Sequence, residues 1–369
     1  MNFDLTEEQD IIRGLAMQIF DGQATTERVK AAEAGDGFDR ALYASLAEAN
    51  LLGLCLPERD GGSGKGLVEL VLLAEQQGRR VAPVPLVATI VTAITIAAHG
   101  SDGLRSTFLP GVIDGSVVLT SALAEPGAND LTTPSARATP VDGGYRITGH
   151  RPAVPYAQHA ARVLVPARLT DGDVALFVVD PGAAGVEVTA ADSTDHQPMA
   201  HLALDTVVTG SARLGDAAAI ADLQRRWMVA LCGVHLGVAQ GSLAATADHV
   251  GARQQFGRPL AGFQAVGQRI ADAYITTEAL RVTTFNAAWR LDEGLPADRD
   301  VLVAAYWAAE GGQQVTLAGQ HLHGGIGADV DYPVHRYFLW SSQLANTLGS
   351  ASSHLARLGG SIAAGPEGA

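Results

Sequence analysis

The chain changes its pattern of hydrophobic and polar positions twice. Residues 1–115 place apolar side chains at helical spacing, residues 116–215 hold short β-branched runs between turn residues, and helical spacing returns over 216–369. The strongest helical runs of the first region are 42–50, 67–77 and 84–98. The pattern therefore predicts three domains with these boundaries, the middle one β-rich and the outer two helical.

Cap and turn signals support these elements. Thr6 precedes two glutamates and predicts a helix N-cap with acidic residues in its first turn. Asp142-Gly143 and Asp171-Gly172 are typical of hairpin turns. The strand-like runs are 117–119, 144–148, 162–165, 174–179 and 185–188. Between the helical regions we therefore expect a small β-barrel or sandwich.

Residues 252–260, which read Ala-Arg-Gln-Gln-Phe-Gly-Arg-Pro-Leu, join two helical runs. Gly257 and Pro259 should stop the first helix and permit the next. Arg253 and Phe256 are then predicted to lie in the last turn of the first helix, on roughly one face. An arginine beside an aromatic ring suits a phosphate attached to a flat ring, while the alternative is a helical hairpin with a solvated arginine.

Composition excludes several classes of protein. With 369 residues, 47% of them hydrophobic and 17% charged, the chain is globular and long enough for two or three domains. A formal charge of −14 argues against non-specific nucleic-acid binding. Only two cysteines, Cys55 and Cys232, occur, so a disulfide framework and a cysteine zinc site are excluded.

The same features predict a location. The start of the chain has no basic segment typical of a secretory signal, and the apolar run 86–98 is short and contains threonines. We therefore expect a cytoplasmic protein with no metal site and no membrane span.

Three sequence blocks, in order and at approximate spacing, resemble the acyl-CoA dehydrogenase family. They are 252–260 followed by Phe-Gln-Ala at 263–265, the run 320–337 with Gln-His-Leu-His-Gly-Gly-Ile-Gly and Asp-Tyr-Pro-Val-His-Arg-Tyr, and 124–130 with Ala-Glu-Pro-Gly-Ala-Asn-Asp. The resemblance extends from Phe3 to about Leu358. It implies an α+β, mainly α fold with a helical N-terminal domain, a central β-barrel domain and a C-terminal four-helix bundle that also forms the oligomer core.

By resemblance, such enzymes oxidise an acyl thioester between its α and β carbons. A glutamate takes the α proton and FAD accepts a hydride from the β carbon. Family members place that glutamate at one of two positions, which are Trp227 and Leu348 here. Neither 223–247 nor 340–350 contains an acid, so the resemblance implies no catalytic base in this chain.

The family's flavin-ring motifs are also altered. The motif Thr-Glu-Pro-Gly-x-Gly-Ser-Asp is replaced by 124–130, which is one residue shorter and lacks both hydroxyl side chains. The motif Trp-Ile-Thr (or Trp-Ile-Ser) is replaced by Ala153-Val154-Pro155, and a proline offers a flavin neither an N–H nor a hydroxyl. We therefore expect this β-domain to hold no flavin tightly.

A third set of residues is retained. In the family these residues contact the diphosphate and adenine of the FAD that lies in the neighbouring subunit's β-domain. The resemblance assigns this role to Arg253, Phe256, Gln264, Gln320, His321, Gly324 and Gly325. Gln320 and His321 are alternatives for one adenine contact, and an ordinary helix C-cap is the alternative for the two glycines.

The sequence thus favours a subunit of a heteromeric FAD-dependent acyl-CoA dehydrogenase, in the simplest case an α2β2 tetramer. Its partner would be a homologous catalytic subunit that binds the acyl-CoA, by analogy a steroid side-chain thioester, and the electron acceptor would be an electron-transfer flavoprotein. The first alternative is a self-sufficient homomeric dehydrogenase with an atypical base such as Asp248 or Glu278. The second is a flavin-free scaffold protein of the same fold.

Overall fold

The structure is a computed structural model that describes residues 3–125 and 134–365. Its first helix begins as the cap signal predicts. The Thr6 hydroxyl accepts the Gln9 N–H at 3.2 Å, and the Gln9 side chain accepts the Thr6 N–H at 3.0 Å. This reciprocal capping box satisfies two backbone donors and fixes the start of the helix.

The predicted helical runs of the first region are all present. The helices are α1 (Glu7–Gln23), α2 (Thr26–Ala34), α3 (Arg40–Glu48), α4 (Leu67–Arg79), α5 (Leu86–His99) and α6 (Asp102–Ile113). Almost every residue of α4 and α5 is buried, which explains why α5 and the first eight residues of α4 are mostly apolar.

A single sheet follows. Its strands are β1 (Leu119–Ser121), β2 (Arg137–Val141), β3 (Gly144–Pro155), β4 (Arg162–Leu169), β5 (Val174–Val179), β6 (Val186–Ala191), β7 (Met199–Thr209) and β8 (Arg213–Gly215). Their order is β6-β7-β3-β2-β4-β5-β8, and β1 pairs with β4 in parallel, as β2 does. Both predicted hairpin turns are confirmed, since Val141 pairs with Gly144 and Arg168 pairs with Val174.

Helices resume after the sheet. They are α7 (Ala217–Ala252), α8 (Gln264–Asp292), α9 (Asp298–Tyr306), α10 (Gly312–His323), α11 (Val334–Leu348) and α12 (Ala351–Ala363), with two short strands, β9 (Gln254–Gln255) and β10 (Arg258–Pro259), between α7 and α8. Helical regions on either side of a central sheet confirm the predicted fold class.

Contacts divide the chain into two units. The first consists of Met1–Lys30, Leu67–Ala82 and Met228–Ala369, and the second of Ala31–Gly66 and Pro83–Trp227. The first unit contains α1, α4, most of α7 and α8 to α12, whereas the second contains the sheet with α3, α5 and α6. The boundaries 1–115, 116–215 and 216–369 remain a prediction.

Within the first unit, α4 and α7 pack backbone against backbone. A Cβ atom added to Gly78 would lie 1.9 Å from the Val234 carbonyl oxygen, and one added to Gly237 would lie 1.9 Å from the Glu75 carbonyl oxygen. No side chain fits at either glycine, so this contact fixes where the C-terminal end of α7 lies in the unit.

Among the described residues, one helix, α7, is long and apolar enough by length and composition to cross a membrane. Of its most apolar window, 67% is buried inside the protein. This burial is typical of a core helix.

Candidate functional site

The structure corrects the prediction for Arg253 and Phe256. Helix α7 ends at Ala252, and the following residues form a β-hairpin in which Gln255 pairs with Arg258. Phe256 and Gly257 make its two-residue turn, with φ angles of +55° and +78°. Two successive left-handed residues reverse the chain, so Arg253 and Phe256 do not share a helical turn.

The hairpin exposes an aromatic ring and a cation. The Phe256 side chain is 92% exposed, and its ring meets that of Phe263 edge to face at 6.2 Å. The Arg258 guanidinium lies 4.0 Å from the centroid of the Phe263 ring, while Arg253 and Gln264 are exposed. Cationic, aromatic and amide groups are therefore available together for a ligand with a phosphate and a flat ring.

The turn after α10 is the second predicted segment. Gly324 is the C-cap residue of α10 and has a φ of +63°. The structural role that was the alternative to ligand binding for this glycine is therefore present. Gly325 has neither a left-handed φ nor any atom within 4 Å of an added Cβ, so nothing in the described part of the chain requires a glycine there. The turn instead leaves open space for another molecule to approach its backbone.

Gln320 and His321 differ in exposure. The Gln320 side-chain oxygen lies 2.6 Å from a Cβ added to Gly327, and the residue is half-buried. His321 is exposed. Of the two alternatives for an adenine contact, His321 is thus the side chain that is more accessible to a ligand.

Two histidines that the sequence analysis did not single out connect the two segments. The His249 and His323 rings stack at 4.3 Å with an interplanar angle of 25°. His249 lies one turn before Arg253 and accepts its backbone N–H at 2.8 Å, and His323 directly precedes Gly324. Burial, His323 and Arg253, in that order, lower the pKa of His249. We call residues 253–264 and 320–325 the α7–α10 face.

The spacing of His249 and Arg253 is the one sequence signal that could have linked His249 to this site. Residues four apart on a helix lie on the same face. The stacking itself joins residues 74 positions apart, so only the packing of α7 on α10 could show it.

The β-domain carries the other predicted motifs. Residues 126–130 of the first motif lie outside the described residues. The side chain of Glu125 is 4% exposed and forms an ion pair with Arg151, which is fully buried and also donates to the Pro166 carbonyl oxygen. The only carboxylate described in this motif is therefore already partnered inside the domain.

Residues 153–155, which replace the family's Trp-Ile-Thr, also bond within the domain. The sheet register shifts between Arg151 and Val154, and Ala153 takes a left-handed φ of +49°. The Ala153 N–H donates to His201 Nδ1 at 3.2 Å, and the Pro155 carbonyl oxygen accepts the buried Thr120 hydroxyl at 2.7 Å. The Ala153 N–H and the Pro155 carbonyl thus have partners in the chain.

The next residue continues this network. Tyr156 is buried, with its N–H donating to the Pro198 carbonyl oxygen at 2.8 Å and its hydroxyl to Gln197 Oε1 at 3.0 Å. Gln197 in turn donates to the buried Asp195 at 2.6 Å. Burial is the first cause that raises the pKa of Tyr156, and it also raises that of Asp195. We call Glu125, Arg151 and residues 153–156 the β tip.

The two positions that match the family's glutamate are apolar and buried. Trp227 on α7 is 8% exposed, and Leu348, the last residue of α11, is 4% exposed. Neither side chain can accept a proton.

The two acids considered in their place are ordinary helix residues, since Glu278 pairs with Arg281 at 2.9 Å on its own helix and Asp248 is exposed. Asp222, another acid on α7, pairs with Arg226 at 3.0 Å. In residues 3–125 and 134–365, no group of three or more His, Cys, Asp or Glu side chains is arranged to hold a metal ion.

Comparison with known proteins identifies the family. The sequence profile of the acyl-CoA dehydrogenase N-terminal domain matches residues 6–116, and that of the C-terminal domain matches residues 223–362. FadE27 of Mycobacterium tuberculosis, named an acyl-CoA dehydrogenase, is 37% identical over 99% of this chain and 100% of its own length.

Two solved structures are similar over nearly the whole chain. A variant of the Tcur3481–Tcur3483 steroid ACAD is 46% identical with a TM-score of 0.93, covering 97% of this chain and 98% of that one. The ChsE4–ChsE5 complex from Mycobacterium tuberculosis is 37% identical with a TM-score of 0.95, covering 99% and 100%. Together with the two domain profiles and the FadE27 match, these similarities show that the chain belongs to the acyl-CoA dehydrogenase family.

Proposed function

We propose that this chain is the non-catalytic subunit of a heteromeric, FAD-dependent acyl-CoA dehydrogenase. A homologous subunit supplies the catalytic glutamate, the β-domain for the flavin ring and the acyl-CoA pocket. This chain supplies part of the binding site for the adenine and diphosphate of the same FAD. The assembly is an α2β2 tetramer, and an electron-transfer flavoprotein reoxidises it.

The β tip is the observation that carries this proposal. A domain that binds a flavin ring must keep hydrogen-bonding groups available to it, since the ring's polar atoms would otherwise be buried without partners. Here the Ala153 N–H, the Pro155 carbonyl and the Tyr156 hydroxyl all bond to the same domain. The residues present therefore do not fit the isoalloxazine ring.

The lack of an acidic residue at the two positions that match the family's glutamate also supports a partner subunit that supplies the catalytic base. Deprotonation of the α carbon requires a carboxylate within hydrogen-bond reach of the substrate. Trp227 and Leu348 are buried apolar side chains instead. The bound FAD would accept the hydride, and the proton would go to a glutamate of the partner.

The α7–α10 face fits the nucleotide end of FAD. Arg253 offers a cation for the diphosphate, Phe256 an aromatic surface for the adenine, and Gly325 backbone approach with open space in front of it. These groups bind and orient the cofactor but take no part in the chemical step.

The similar proteins support a two-subunit assembly and a bulky substrate. The solved structures are a ChsE4–ChsE5 complex and a Tcur3481–Tcur3483 protein described as a steroid ACAD. By analogy, we propose an acyl-CoA thioester on a steroid side chain as the substrate of the assembly.

Co-expression tests the proposal. The chain purified alone should be colourless, and the chain purified with a homologous subunit that carries the glutamate should show flavin absorbance. In that complex, Arg253→Ala should lower the FAD content at least severalfold, because a charge-assisted bond to the diphosphate is lost. Arg357→Ala, which removes an exposed arginine on α12, is the matched control and should retain full FAD content.

The rival functions make different predictions. If the chain alone bound stoichiometric FAD and turned over an acyl-CoA, the homomeric dehydrogenase would be correct and Asp248→Ala or Glu278→Ala should then abolish turnover. If every native complex of the chain lacked flavin, the scaffold function would be correct.

A further inference from the structure

The His249–His323 pair lies on a close contact between α7 and α10. A Cβ added to Gly319 would lie 2.7 Å from the Ser242 Oγ and 3.0 Å from the Thr246 Oγ1. The glycine thus lets the two helices approach closely, and one turn further along, the imidazoles of residues 249 and 323 meet face to face. The position of the pair therefore follows from the helix packing.

The tautomer of His323 is fixed by its surroundings. His323 is 6% exposed, and its Nδ1 lies 2.8 Å from the Gly319 carbonyl oxygen. A carbonyl oxygen only accepts hydrogen bonds, so Nδ1 carries the proton and Nε2 keeps its lone pair. Nε2 is buried and has no hydrogen-bond partner among the described residues.

The pair, in which His323 is buried and His249 half-buried, adjoins both segments of the α7–α10 face. The His249 carbonyl holds the N–H of Arg253, and His323 is followed directly by Gly324. The Arg253 charge helps to lower the pKa of His249, after burial and His323. Because this electrostatic interaction is mutual, a proton gained by His249 also changes the interaction energy of the Arg253 guanidinium.

We infer that the His249–His323 pair positions the two segments of the α7–α10 face and takes up a proton when a nucleotide diphosphate binds beside Arg253. The inference rests on the proposed function, which assigns that diphosphate to this face. A diphosphate neutralises Arg253 and removes its repulsion of a protonated imidazole. Binding of the anion and of the proton then favour each other by the same factor.

Other ionisable groups lie on the two helices of the pair and on the segments that follow them. They are Arg253, His321, Tyr332, Asp331 with Lys30, His335 and Arg336, of which the Tyr332 ring lies 5.4 Å from that of His323. Asp331 is already paired with Lys30 at 2.6 Å, and Arg253 is the arginine whose charge helps to lower the pKa of His249, after burial and His323.

The direction of the pH effect follows from the lowered pKa of His249. Without ligand, the folded protein binds fewer protons at this ring than the unfolded chain does. The stability that the neutral ring contributes is present above about pH 6.5 and is lost as the pH falls towards the pKa of the folded state. A bound diphosphate should oppose that loss.

Calorimetric titration of the full-length chain with ADP measures the linkage. In buffers of different ionisation enthalpy near pH 6, the wild type should take up a fraction of a proton per ADP bound. The double variant His249→Phe/His323→Phe keeps two flat rings but has no basic nitrogen. Its proton uptake per ADP should therefore fall to the amount that comes from protonation of the ADP phosphates alone. Relative to this variant, wild-type affinity for ADP should rise about three- to tenfold between pH 8 and pH 5.5. His150→Phe, at an exposed site on β3, is the control and should behave as the wild type.

The outcomes separate this inference from the proposed function. If Arg253→Ala weakens ADP binding but the wild type and the double variant take up equal amounts of protons, the inference is wrong and the assigned contact remains. If ADP does not bind, or binds equally well without Arg253, the inference is wrong, whereas the proposed function is decided separately by FAD retention in the co-expressed complex. Should the double variant not fold, NMR titration of His249 in the wild type decides, because ADP must raise the pH at which this imidazole titrates.

Discussion

The β tip and the α7–α10 face use the same kinds of polar group in opposite ways. In the β tip, Arg151 is fully buried and bonds to Glu125 and to a carbonyl oxygen, so its charge stabilises the domain. On the α7–α10 face, Arg253, Phe256 and His321 are exposed. Groups that bond inside a domain are not available to a ligand, whereas exposed groups can bind one. The comparison teaches that polar groups of the same kind can stabilise one region of a chain from within and remain exposed in another.

The largest expected effect is in the β tip. Arg151→Met would leave the Glu125 carboxylate buried without its cation and should lower the free energy of unfolding by about 3–5 kcal/mol. The measurement is urea denaturation at neutral pH. Arg146→Met removes an ion pair of the same type on the same strand, but its partners are 54% and 57% exposed, so its effect should be far smaller. Equal losses in the two variants would contradict the structural role assigned to Arg151.

A smaller loss of stability is expected when the hydrogen bond from the Thr120 hydroxyl to the Pro155 carbonyl oxygen is removed. Thr120→Val keeps the side-chain shape but removes the donor to the Pro155 carbonyl, so stability should fall by about 1 kcal/mol. The exposed Thr189→Val on β6 is the control and should leave stability unchanged. The Thr120 variant should still bind no FAD when purified alone. Stoichiometric flavin in it would show that this single bond, and not the whole tip, prevents binding.

The smallest expected effect is a gain in stability, from a substitution on the α7–α10 face. Phe256 holds a left-handed φ of +55° in a turn where asparagine is favoured, so Phe256→Asn should raise stability by about 0.5 kcal/mol. The same change removes the exposed ring and should reduce FAD retention in the complex. Gln254→Asn, on the adjoining strand, should give no such gain. A variant that is both more stable and fully loaded with FAD would contradict a ligand-binding role for Phe256.

Local sequence signals predicted much of the fold. Thr6 predicted the first helix cap, and the Asp-Gly pairs at 142 and 171 predicted two hairpin turns, because these structures depend on one or two neighbouring residues. Strand β7 was missed, although its burial alternates along most of its length from Ala200 to Thr206. The hairpin at Phe256-Gly257 was mistaken for a helix end, since a phenylalanine is unusual at a left-handed turn position.

Sequence by itself determined the family, the lack of an acid at Trp227 and Leu348, and the retention of Arg253 and Gly325, because motifs and residue types can be compared one position at a time. Only the tertiary structure decided that the Ala153 N–H, the Pro155 carbonyl and the Tyr156 hydroxyl are already bonded, and that the two histidines stack. Both depend on which distant residue lies opposite, such as Thr120 for Pro155. Such pairings are set by how strands and helices pack, so the spacing of residues along the chain does not predict them.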